Sequence, residues 1–399
     1  MIDLILNAEV YTPEPLGQMN LAVCAGRVIW MGTDPPPVSR ELVTSEVDLE
    51  GARLIPGLID GHVHVTGGGG EAGPESRVPP LGLSRFTRNG ITSVVGLLGT
   101  DDLTRTTASL VTQVRGLVAE GLSAWCYTGG YHLPPATVTG SARGDIVLVD
   151  RVIGVGELAL SDHRSSQPTL DELLKIAAEA HVAGLMTGKA GTVHLHMGDG
   201  ERGLELVRRA IAGSEIPARV FHPTHVNRRK ALFDEALRLA GEAGSTIDLT
   251  AFPVAEDEDA WSAEDALAKY LAAGLPAERV TVSSDGGGCL PVFDAGGRVT
   301  SMDVGEPGAL IECLGKLLQA GHAMEAVLPA FTSNVADLLR LAGKGRVTVG
   351  GDADLVALEA DGTARHVMAR GRWHLLSGEL TRHGVFEQSE IGEQGEARS

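Results

Sequence analysis

The sequence predicts an α/β fold in which a (β/α)8 TIM barrel is joined to a small β-sandwich domain formed by both termini. Its 399 residues exceed the roughly 250 that a minimal barrel needs, which leaves material for a second domain. Through the middle of the chain, strand-like apolar runs alternate with helical patterns, as in a parallel barrel. Polar residues recur at the C-terminal ends of these runs, where barrels carry their catalytic groups.

Both ends of the chain have the pattern of a small β-rich unit. Short strand-like runs separated by turn signals lie at residues 3–10, 19–23, 27–31, 353–358 and 366–373. Because chain ends often lie close together, one β-sandwich would account for both groups. The last residues are polar and rich in Gly and Glu, which is typical of a frayed end. The predicted domains are a sandwich at 1–53 and 346–386, a barrel at 54–345 and a flexible tail at 387–399.

The central region contains eight candidate barrel strands. They are residues 55–65, 91–98, 124–128, 152–160, 192–197, 218–223, 246–250 and 280–284. Helical patterns between them include 170–183, 202–212, 230–243 and 263–273. The glycine run at 67–70 lacks the strand and helix context of a phosphate loop. It either lets the backbone approach a ligand closely or forms a flexible loop.

Composition excludes several classes of partner. The formal net charge of −19 argues against nucleic acid, because affinity for the phosphate backbone depends on Lys and Arg. The four cysteines are scattered, as expected of reduced thiols in a cytoplasmic protein. We see neither a signal peptide nor an apolar run of about 18 residues, so no membrane partner is expected.

A metal centre is predicted at the strand ends. His62 and His64 end the first apolar run, and alternate residues of a strand point to the same side. Neutral imidazoles suit zinc and its first-row neighbours, although an isolated His-x-His is as typical of two polar residues at a strand end. Two adjacent metals need a bridging anion. We expect His62 and His64 to hold one metal, and His196 and His225 the other.

The choice among the remaining strand-end residues follows from their position. His196 and His225 lie nearer the ends of their strands than His194 and His222, which we expect to be buried, hydrogen-bonded histidines. Asp285 closes the eighth strand, where it could bind metal and transfer a proton from the nucleophile to a leaving amine. The glycines that follow Asp285 also permit a plain turn.

Seven segments together resemble the isoaspartyl (β-aspartyl) dipeptidases of the amidohydrolase superfamily. They are His62-Val63-His64 and residues 67–73, 96–101, 161–165, 196–199, 223–228 and 283–286. The similarity covers almost the whole chain. It implies a zinc metallopeptidase, usually octameric, in which a metal-bridged hydroxide hydrolyses the isopeptide bond of β-aspartyl dipeptides. Two Zn²⁺ per subunit are expected, although the same ligands accept Mn, Co or Fe.

The resemblance also implies roles for residues that contact the substrate. Glu71 would take the α-ammonium, and Arg164 and Arg228 would bind the carboxylates, which suits the bidentate geometry of Arg with carboxylate. Tyr131 would donate a hydrogen bond to the oxyanion. Thr100 and the Gly69 backbone would line the pocket.

This sequence departs from the family pattern at Glu157. The family usually bridges its metals with a carboxylated lysine, whereas counting back from residues 161–165 places Glu157 at that position. Glutamate supplies the same charge on a shorter side chain. We predict that Gly156, an apparent extra residue, bulges the strand so that Glu157 still bridges. Activity should then be indifferent to bicarbonate, and no carboxylated lysine is expected, at Lys189 or elsewhere. A mononuclear site is the alternative.

A second departure is Cys289, which stands where the family generally has a serine at the carboxylate end of the substrate. Cysteine is a weaker hydrogen-bond donor. The identity of the substrate is therefore less well defined than the type of reaction, and two further hypotheses stay open. One is another amidohydrolase, such as an N-acyl-amino-acid deacylase or a cyclic amidase. The other is a non-catalytic barrel homologue.

Overall fold

The computed structural model describes residues 1–255, 257–293 and 298–387. Residues 388–399 of the predicted flexible tail lie outside this range. The strands are, in chain order, β1 Ile2–Tyr11, β2 Pro15–Cys24, β3 Arg27–Gly32, β4 Val43–Asp48, β5 Arg53–Pro56, β6 Leu58–Val63, β7 Ile91–Gly96, β8 Ser123–Thr128, β9 Val152–Leu160, β10 Thr192–Met197, β11 Phe221–Thr224, β12 Ile247–Thr250, β13 Val280–Ser283, β14 Cys289–Phe293, β15 Val299–Val304, β16 Leu355–Leu358, β17 Ala364–Ala369, β18 Arg372–Leu376 and β19 Glu379–Leu380.

The helices connect the barrel strands and cover their outer side. They are α1 Leu83–Thr87, α2 Thr107–Glu120, α3 Ala142–Leu148, α4 Leu170–Thr187, α5 Glu205–Ala212, α6 Lys230–Arg238, α7 Ala263–Ala272, α8 Ala309–Gln319, α9 Met324–Val327 and α10 Ser333–Leu339. Local signals set the ends of α4: Thr169 and Glu172 form a reciprocal capping box, and Gly188 ends the helix at a φ of 75°. Among the described helices, none has the length and apolar character needed to cross a membrane.

The predicted (β/α)8 barrel is confirmed. In the described chain, β6 to β11 form one parallel sheet in sequence order, and β12 pairs with β13 in parallel. The ring closes where the segment after β13 meets β6: Val63 bridges Gly286 in parallel, and His64 N–H donates to the Gly286 carbonyl at 2.8 Å. Because all eight strands run in one direction, their C-terminal ends share one mouth.

Strands from both termini join in a second sheet. Its order is β19-β18-β17-β16-β5-β1-β2-β3, with β4 also paired to β1. Along one edge of β1, residues 2–6 pair with β4 and residues 9–10 pair with β5. Its core includes the fully buried side chains of Ile5, Leu21, Leu355 and Met368. The two chain ends are therefore held together by β5, which pairs with β1 and β16.

The first barrel strand begins later than predicted. The prediction was one strand over 55–65, but β5 leaves the barrel to pair within the terminal sheet, and β6 begins only at Leu58. Gly57 separates the two strands, where a Cβ would lie 2.1 Å from the Thr92 hydroxyl. The other predicted barrel strands match to within about three residues at each end. The division into domains remains a proposal.

Candidate metal centre

The mouth of the barrel brings together six donors from five strands. His62 lies on β6 with His64 just beyond it, Glu157 lies on β9 and His196 on β10, and His225 and Asp285 follow β11 and β13. All six side chains are buried. Among the described residues, three groups have ligand atoms within 4.8 Å of one another: His62, His64 and Glu157; His62, His225 and Asp285; and Glu157, His196 and His225.

Glu157 lies at the centre of this cluster. Its Oε1 is 3.4 Å from His64 Nε2. Its Oε2 is 3.2 Å from His196 Nδ1, 3.4 Å from His225 Nε2 and 3.6 Å from His62 Nε2. One carboxylate therefore contacts all four imidazoles. This is the position that a bridging ligand requires, in spite of the short glutamate side chain.

A bulge in β9 carries Glu157 to this position. Val155 pairs with Val193 and Leu158 with Leu195, so β9 has one residue more than β10 in this interval. Gly156 lies in the bulge, and a Cβ there would meet the Cβ of His194 at 2.8 Å. The expected bulge is thus present, and close packing restricts its first residue to glycine.

The two carboxylates of the cluster, Glu157 and Asp285, attract positive charge to its imidazoles. Burial alone would raise the pKa of the Glu157 carboxyl, but the surrounding imidazoles hold it well below its usual value. Burial opposes protonation of His64, yet Asp285 and Glu157 raise its pKa to about 9. The buried His62 Nε2 and Asp285 Oδ1 are 3.3 Å apart, and neither has a hydrogen-bond partner in the described chain. These donors fit a metal.

Three histidines of the cluster each have a partner for the ring nitrogen that faces away from Glu157. His225 Nδ1 lies 2.6 Å from the Thr250 hydroxyl, and His196 Nε2 lies 3.0 Å from Asp162 Oδ2. His62 Nδ1 lies 2.8 Å from another histidine, His194. Such partners fix the tautomer and orientation of a metal ligand. Asp162 belongs to the 161–165 segment, but nothing in that sequence pattern indicated its contact with His196.

A chain of buried hydrogen bonds continues from His62 across the barrel. His194 Nδ1 lies 3.0 Å from His222 Nδ1, and His222 Nε2 lies 3.2 Å from the Thr281 hydroxyl, which donates to Asp248 Oδ1 at 2.6 Å. If His62 Nε2 faces a metal, His62 Nδ1 carries the proton, and each group then donates to the next. The predicted burial of His194 and His222 is observed.

Glu71 lies across the cavity from the donor cluster. Its Oε1 accepts hydrogen bonds from the Thr100 hydroxyl at 2.9 Å and from Arg164 Nη1 at 3.4 Å. Its Oε2 is buried and has no hydrogen-bond partner among the described residues. A buried carboxylate oxygen without a donor is costly, which favours a cationic group of a ligand at this point.

Both predicted carboxylate-binding arginines lie at the cavity, each paired with an acidic residue. Arg164 donates to Asp162 from Nη2 at 2.8 Å and from Nε at 3.1 Å. Arg228 Nη2 donates to Asp285 Oδ2 at 2.7 Å. A ligand carboxylate would therefore share or replace these contacts.

Tyr131 and Cys289 complete the lining. The Tyr131 hydroxyl lies 2.8 Å from His196 Nδ1, and burial followed by the charge of Glu157 raises its pKa well above the usual value. Burial, with Glu71 nearby, raises the pKa of the Cys289 thiol to about 12. Both groups therefore remain protonated at neutral pH and act as hydrogen-bond donors.

The glycine loop is held against the site by a residue that the sequence analysis missed. Arg105 is buried and donates to the carbonyls of Thr66, Gly69 and Val78 at 3.2, 3.4 and 2.9 Å. At Gly69, φ is 75° and a Cβ would lie 2.3 Å from the Ser76 carbonyl oxygen. This close packing requires glycine at position 69, and approach of the loop backbone to a ligand stays a prediction.

The predicted site residues converge on one cavity. All except His62 and His225 line it, and these two complete the donor cluster behind it. Lys189 lies elsewhere, donating to the carbonyls of Ile146 and Val149 at 2.6 and 2.7 Å. It is therefore not a member of the described cluster.

A family model for amidohydrolases matches residues 53–374. The chain belongs to the amidohydrolase family. A solved β-aspartyl dipeptidase from Fervidobacterium islandicum AW-1, in complex with a β-Asp-Leu dipeptide, is 42% identical over 96% of this chain and 99% of that chain, with a TM-score of 0.89. The resemblance to isoaspartyl dipeptidases seen in the sequence is confirmed.

Other similar proteins show the fold alone or match only part of the chain. A dihydropyrimidinase from Brevibacillus agri is 15% identical over 96% of this chain and 97% of that chain, with a TM-score of 0.67, so it supports the fold alone. An imidazolonepropionase from Aromatoleum aromaticum is 31% identical over 30% of this chain. That match spans 31% of the length of the curated relative.

Proposed function

We propose that this amidohydrolase hydrolyses the isopeptide bond of β-aspartyl dipeptides. The observation that carries the proposal is one cavity in which Glu71, Arg164 and Arg228 surround the buried donor cluster. A β-aspartyl dipeptide has one ammonium and two carboxylates, so its charges complement those three side chains. The likeness to a β-aspartyl dipeptidase over nearly the whole chain supports the same substrate class. A cytoplasmic octamer, expected from the cysteines and the resemblance, remains part of this proposal.

The donor cluster would hold two metal ions, with Glu157 as the bridge. His62, His64 and Asp285 would complete one site, and His196 and His225 the other. Zinc suits these donors, and Mn, Co or Fe would also be accepted. When bound, the metals would supply a water of lowered pKa and polarise the scissile carbonyl. Because Glu157 contacts all four imidazoles without modification, the site should assemble without CO2.

Asp285 is placed to move the proton. Its Oδ1 faces His62 Nε2 and His64 Nε2 at 3.3 and 3.2 Å, while its Oδ2 accepts from Arg228. Although burial opposes the charge, these contacts hold the pKa of Asp285 well below its usual value. The carboxylate therefore starts deprotonated, accepts a proton from the nucleophilic water and passes it to the leaving amine.

Tyr131 stabilises the charge that develops on the substrate carbonyl. Its hydroxyl remains protonated and lies beside His196, so it points into the region of the donor cluster. A hydrogen bond to the tetrahedral oxyanion strengthens as charge accumulates on that oxygen, which lowers the barrier selectively.

The need for a free ammonium separates this proposal from deacylases and cyclic amidases. We expect Glu71→Gln to lower kcat/KM for β-Asp-Leu by about 100-fold, since a buried charge-assisted pair is lost. Acetylation of the substrate α-amine should have a comparable effect on the unaltered enzyme. Equal turnover of β-Asp-Leu and its N-acetyl derivative would refute the proposal and favour a deacylase. A metal-loaded protein inert towards β-aspartyl and N-acyl substrates alike would favour the non-catalytic reading.

A further inference from the structure

A second cavity opens beside the donor cluster. It has a volume of about 360 Å³ and shares Arg164 and Arg228 with the cavity that contains Glu71. The remaining lining comes from Asp162 and His163 after β9, from the end of β10 and the segment that follows it, from the segments after β11 and β12, and from β14 and β15. Glu71 lines only the first of these cavities, and the two arginines lie where the cavities meet.

The leaving half of a bound dipeptide would face this second cavity. With the ammonium at Glu71, the β-aspartyl half would occupy the first cavity. Asp285 must protonate the leaving amine, and its Oδ2 contacts Arg228, which lines both cavities. The residue released by hydrolysis therefore extends from the donor cluster past Arg228 into the second cavity.

The wall of this cavity is apolar. Met197, Phe252, Leu290 and Pro291 line it, and all except Met197 are partly exposed to solvent. The Phe252 ring also stacks under the guanidinium of Arg228, 5.7 Å from its centre, which holds the ring at the boundary between the two cavities. An aliphatic chain lying against this wall would remove apolar surface from water on both sides.

The rim of the cavity is mainly acidic. The exposed carboxylates of Asp199, Glu258 and Asp303 lie there. Arg229 also reaches the rim, where it donates to the carbonyls of Asp199 and Gly200 at 2.7 and 3.1 Å. Arg164 and Arg228 are each paired with a carboxylate. The described acidic groups thus favour a cationic end on the group that occupies the cavity.

We propose that this cavity binds the side chain of the leaving residue and selects a long aliphatic stem that ends in a cation, as in lysine or arginine. The inference rests on the proposed dipeptidase function and deepens it. Apolar stems should be preferred over glycine because of the wall, and anionic ends should be disfavoured because of the rim. Contact with the apolar wall and attraction to the acidic rim thus contribute separately to selectivity, and each contribution can be measured.

Matched substrates separate the two parts. With the metal-loaded enzyme, kcat/KM for β-Asp-norleucine should exceed that for β-Asp-Gly by about tenfold or more. β-Asp-Lys should exceed β-Asp-norleucine, and β-Asp-Gln should exceed β-Asp-Glu, each by about threefold or more in dilute buffer. Only the two charge ratios should shrink in about 1 M salt, which screens exposed charges.

Ratios measured within one variant cancel any loss of folded protein. Phe252→Ala should lower the norleucine to glycine ratio, whereas Phe386→Ala, at a solvent-exposed side chain outside the cavity, should not. Asp303→Asn should lower the lysine to norleucine ratio, whereas Glu379→Gln, at an exposed position on β19, should not.

The outcomes distinguish this inference from the function on which it rests. If β-Asp-Gly is cleaved as fast as β-Asp-norleucine, or β-Asp-Glu as fast as β-Asp-Lys, the inference is overturned and the dipeptidase function stands. If none of the β-aspartyl substrates is cleaved, both are overturned. Ratios that follow the expected order and fall in the Phe252 and Asp303 variants alone would support the assignment.

Discussion

At the scale of single residues, the position of Glu157 depends most directly on Gly156. A methyl group there would lie 2.8 Å from the Cβ and 2.9 Å from the carbonyl oxygen of His194. We predict that Gly156→Ala shifts the bulge, lowers bound metal by about half or more and lowers kcat by about 100-fold, since small displacements of catalytic groups are costly. Metal analysis of the purified variant, together with its turnover of β-Asp-Leu, measures both effects.

Gly116 provides the matched control for this substitution. It lies within α2, where a Cβ would meet nothing within 4 Å among the described residues. Gly116→Ala should keep its metal and activity and gain about 1 kcal/mol in the free energy of unfolding, because alanine is the better helix former. Normal metal content in Gly156→Ala would contradict the role given to the bulge.

Substitution of Tyr131 tests whether its hydroxyl stabilises the oxyanion. We predict that Tyr131→Phe lowers kcat for β-Asp-Leu by about 100- to 1,000-fold, because one donor to the developing charge is lost. KM should change by less than about threefold, since this hydrogen bond matters mainly in the transition state. Steady-state kinetics on the metal-loaded variant provides the measurement. If kcat is unaltered, another donor holds the oxyanion.

At the scale of secondary-structure elements, the hydrogen-bonded chain from His62 to Asp248 links strands on opposite sides of the barrel. We predict that Asp248→Asn or Thr281→Val weakens metal binding by about 10- to 100-fold, because the orientation and basicity of the ligand His62 depend on its partners. Competition with a chromogenic chelator measures the affinity. Asp337→Asn, at an exposed residue paired with Arg346, is the control. Equal metal affinities in all variants would mean that these hydrogen bonds contribute only to packing.

Part of this site was predictable from the order of residues within each strand. His62 and His64 are two residues apart, so their side chains point to the same side of a strand. His196, His225 and Asp285 come at the C-terminal ends of strands, and these ends meet in any parallel barrel. The partner of His196 could not be predicted, because Asp162 follows β9 whereas His196 lies on the neighbouring strand β10. The hydrogen bonds through His222 and Thr281 could not be predicted either, because they join residues that are distant in sequence.

The start of the first barrel strand could not be predicted from the local sequence either. Residues 54–56 are apolar like those of a barrel strand, so their sequence alone favours the barrel. Pairing decides otherwise: Leu54 and Ile55 lie opposite Ala357 and Val356 of β16. Only the return of the chain more than 300 residues later supplies this partner, and no pattern within residues 53–63 contains that information.

At the scale of the whole molecule, two buried histidines make the stability of the terminal sheet depend on pH. Burial, with nearby arginines, lowers the pKa of His366 on β17 and of His374 on β18 to about 4. In the unfolded chain the pKa of His is near 6.5. Below pH 6.5 the unfolded chain therefore gains protons that the folded sheet excludes, and the free energy of unfolding falls between pH 6.5 and 4.

We expect this effect to cost about 1 to 3 kcal/mol per histidine by pH 4. Urea unfolding at pH 7.5 and pH 5 measures it, with His374→Gln as the comparison. The variant should lose less stability between the two pH values than the unaltered protein does. Equal losses would mean that other groups, such as carboxylates, account for the whole dependence.

The proposed function depends above all on Glu157 bridging the metals of a β-aspartyl dipeptidase without modification. The most direct measurement is hydrolysis of β-Asp-Leu and α-Asp-Leu by zinc-loaded protein in buffer freed of CO2, with and without added bicarbonate. We expect cleavage of the β isomer alone, at a rate that bicarbonate does not change. Inactivity towards β-Asp-Leu would contradict the proposed substrate, and activity that appears only with bicarbonate would contradict the role of Glu157.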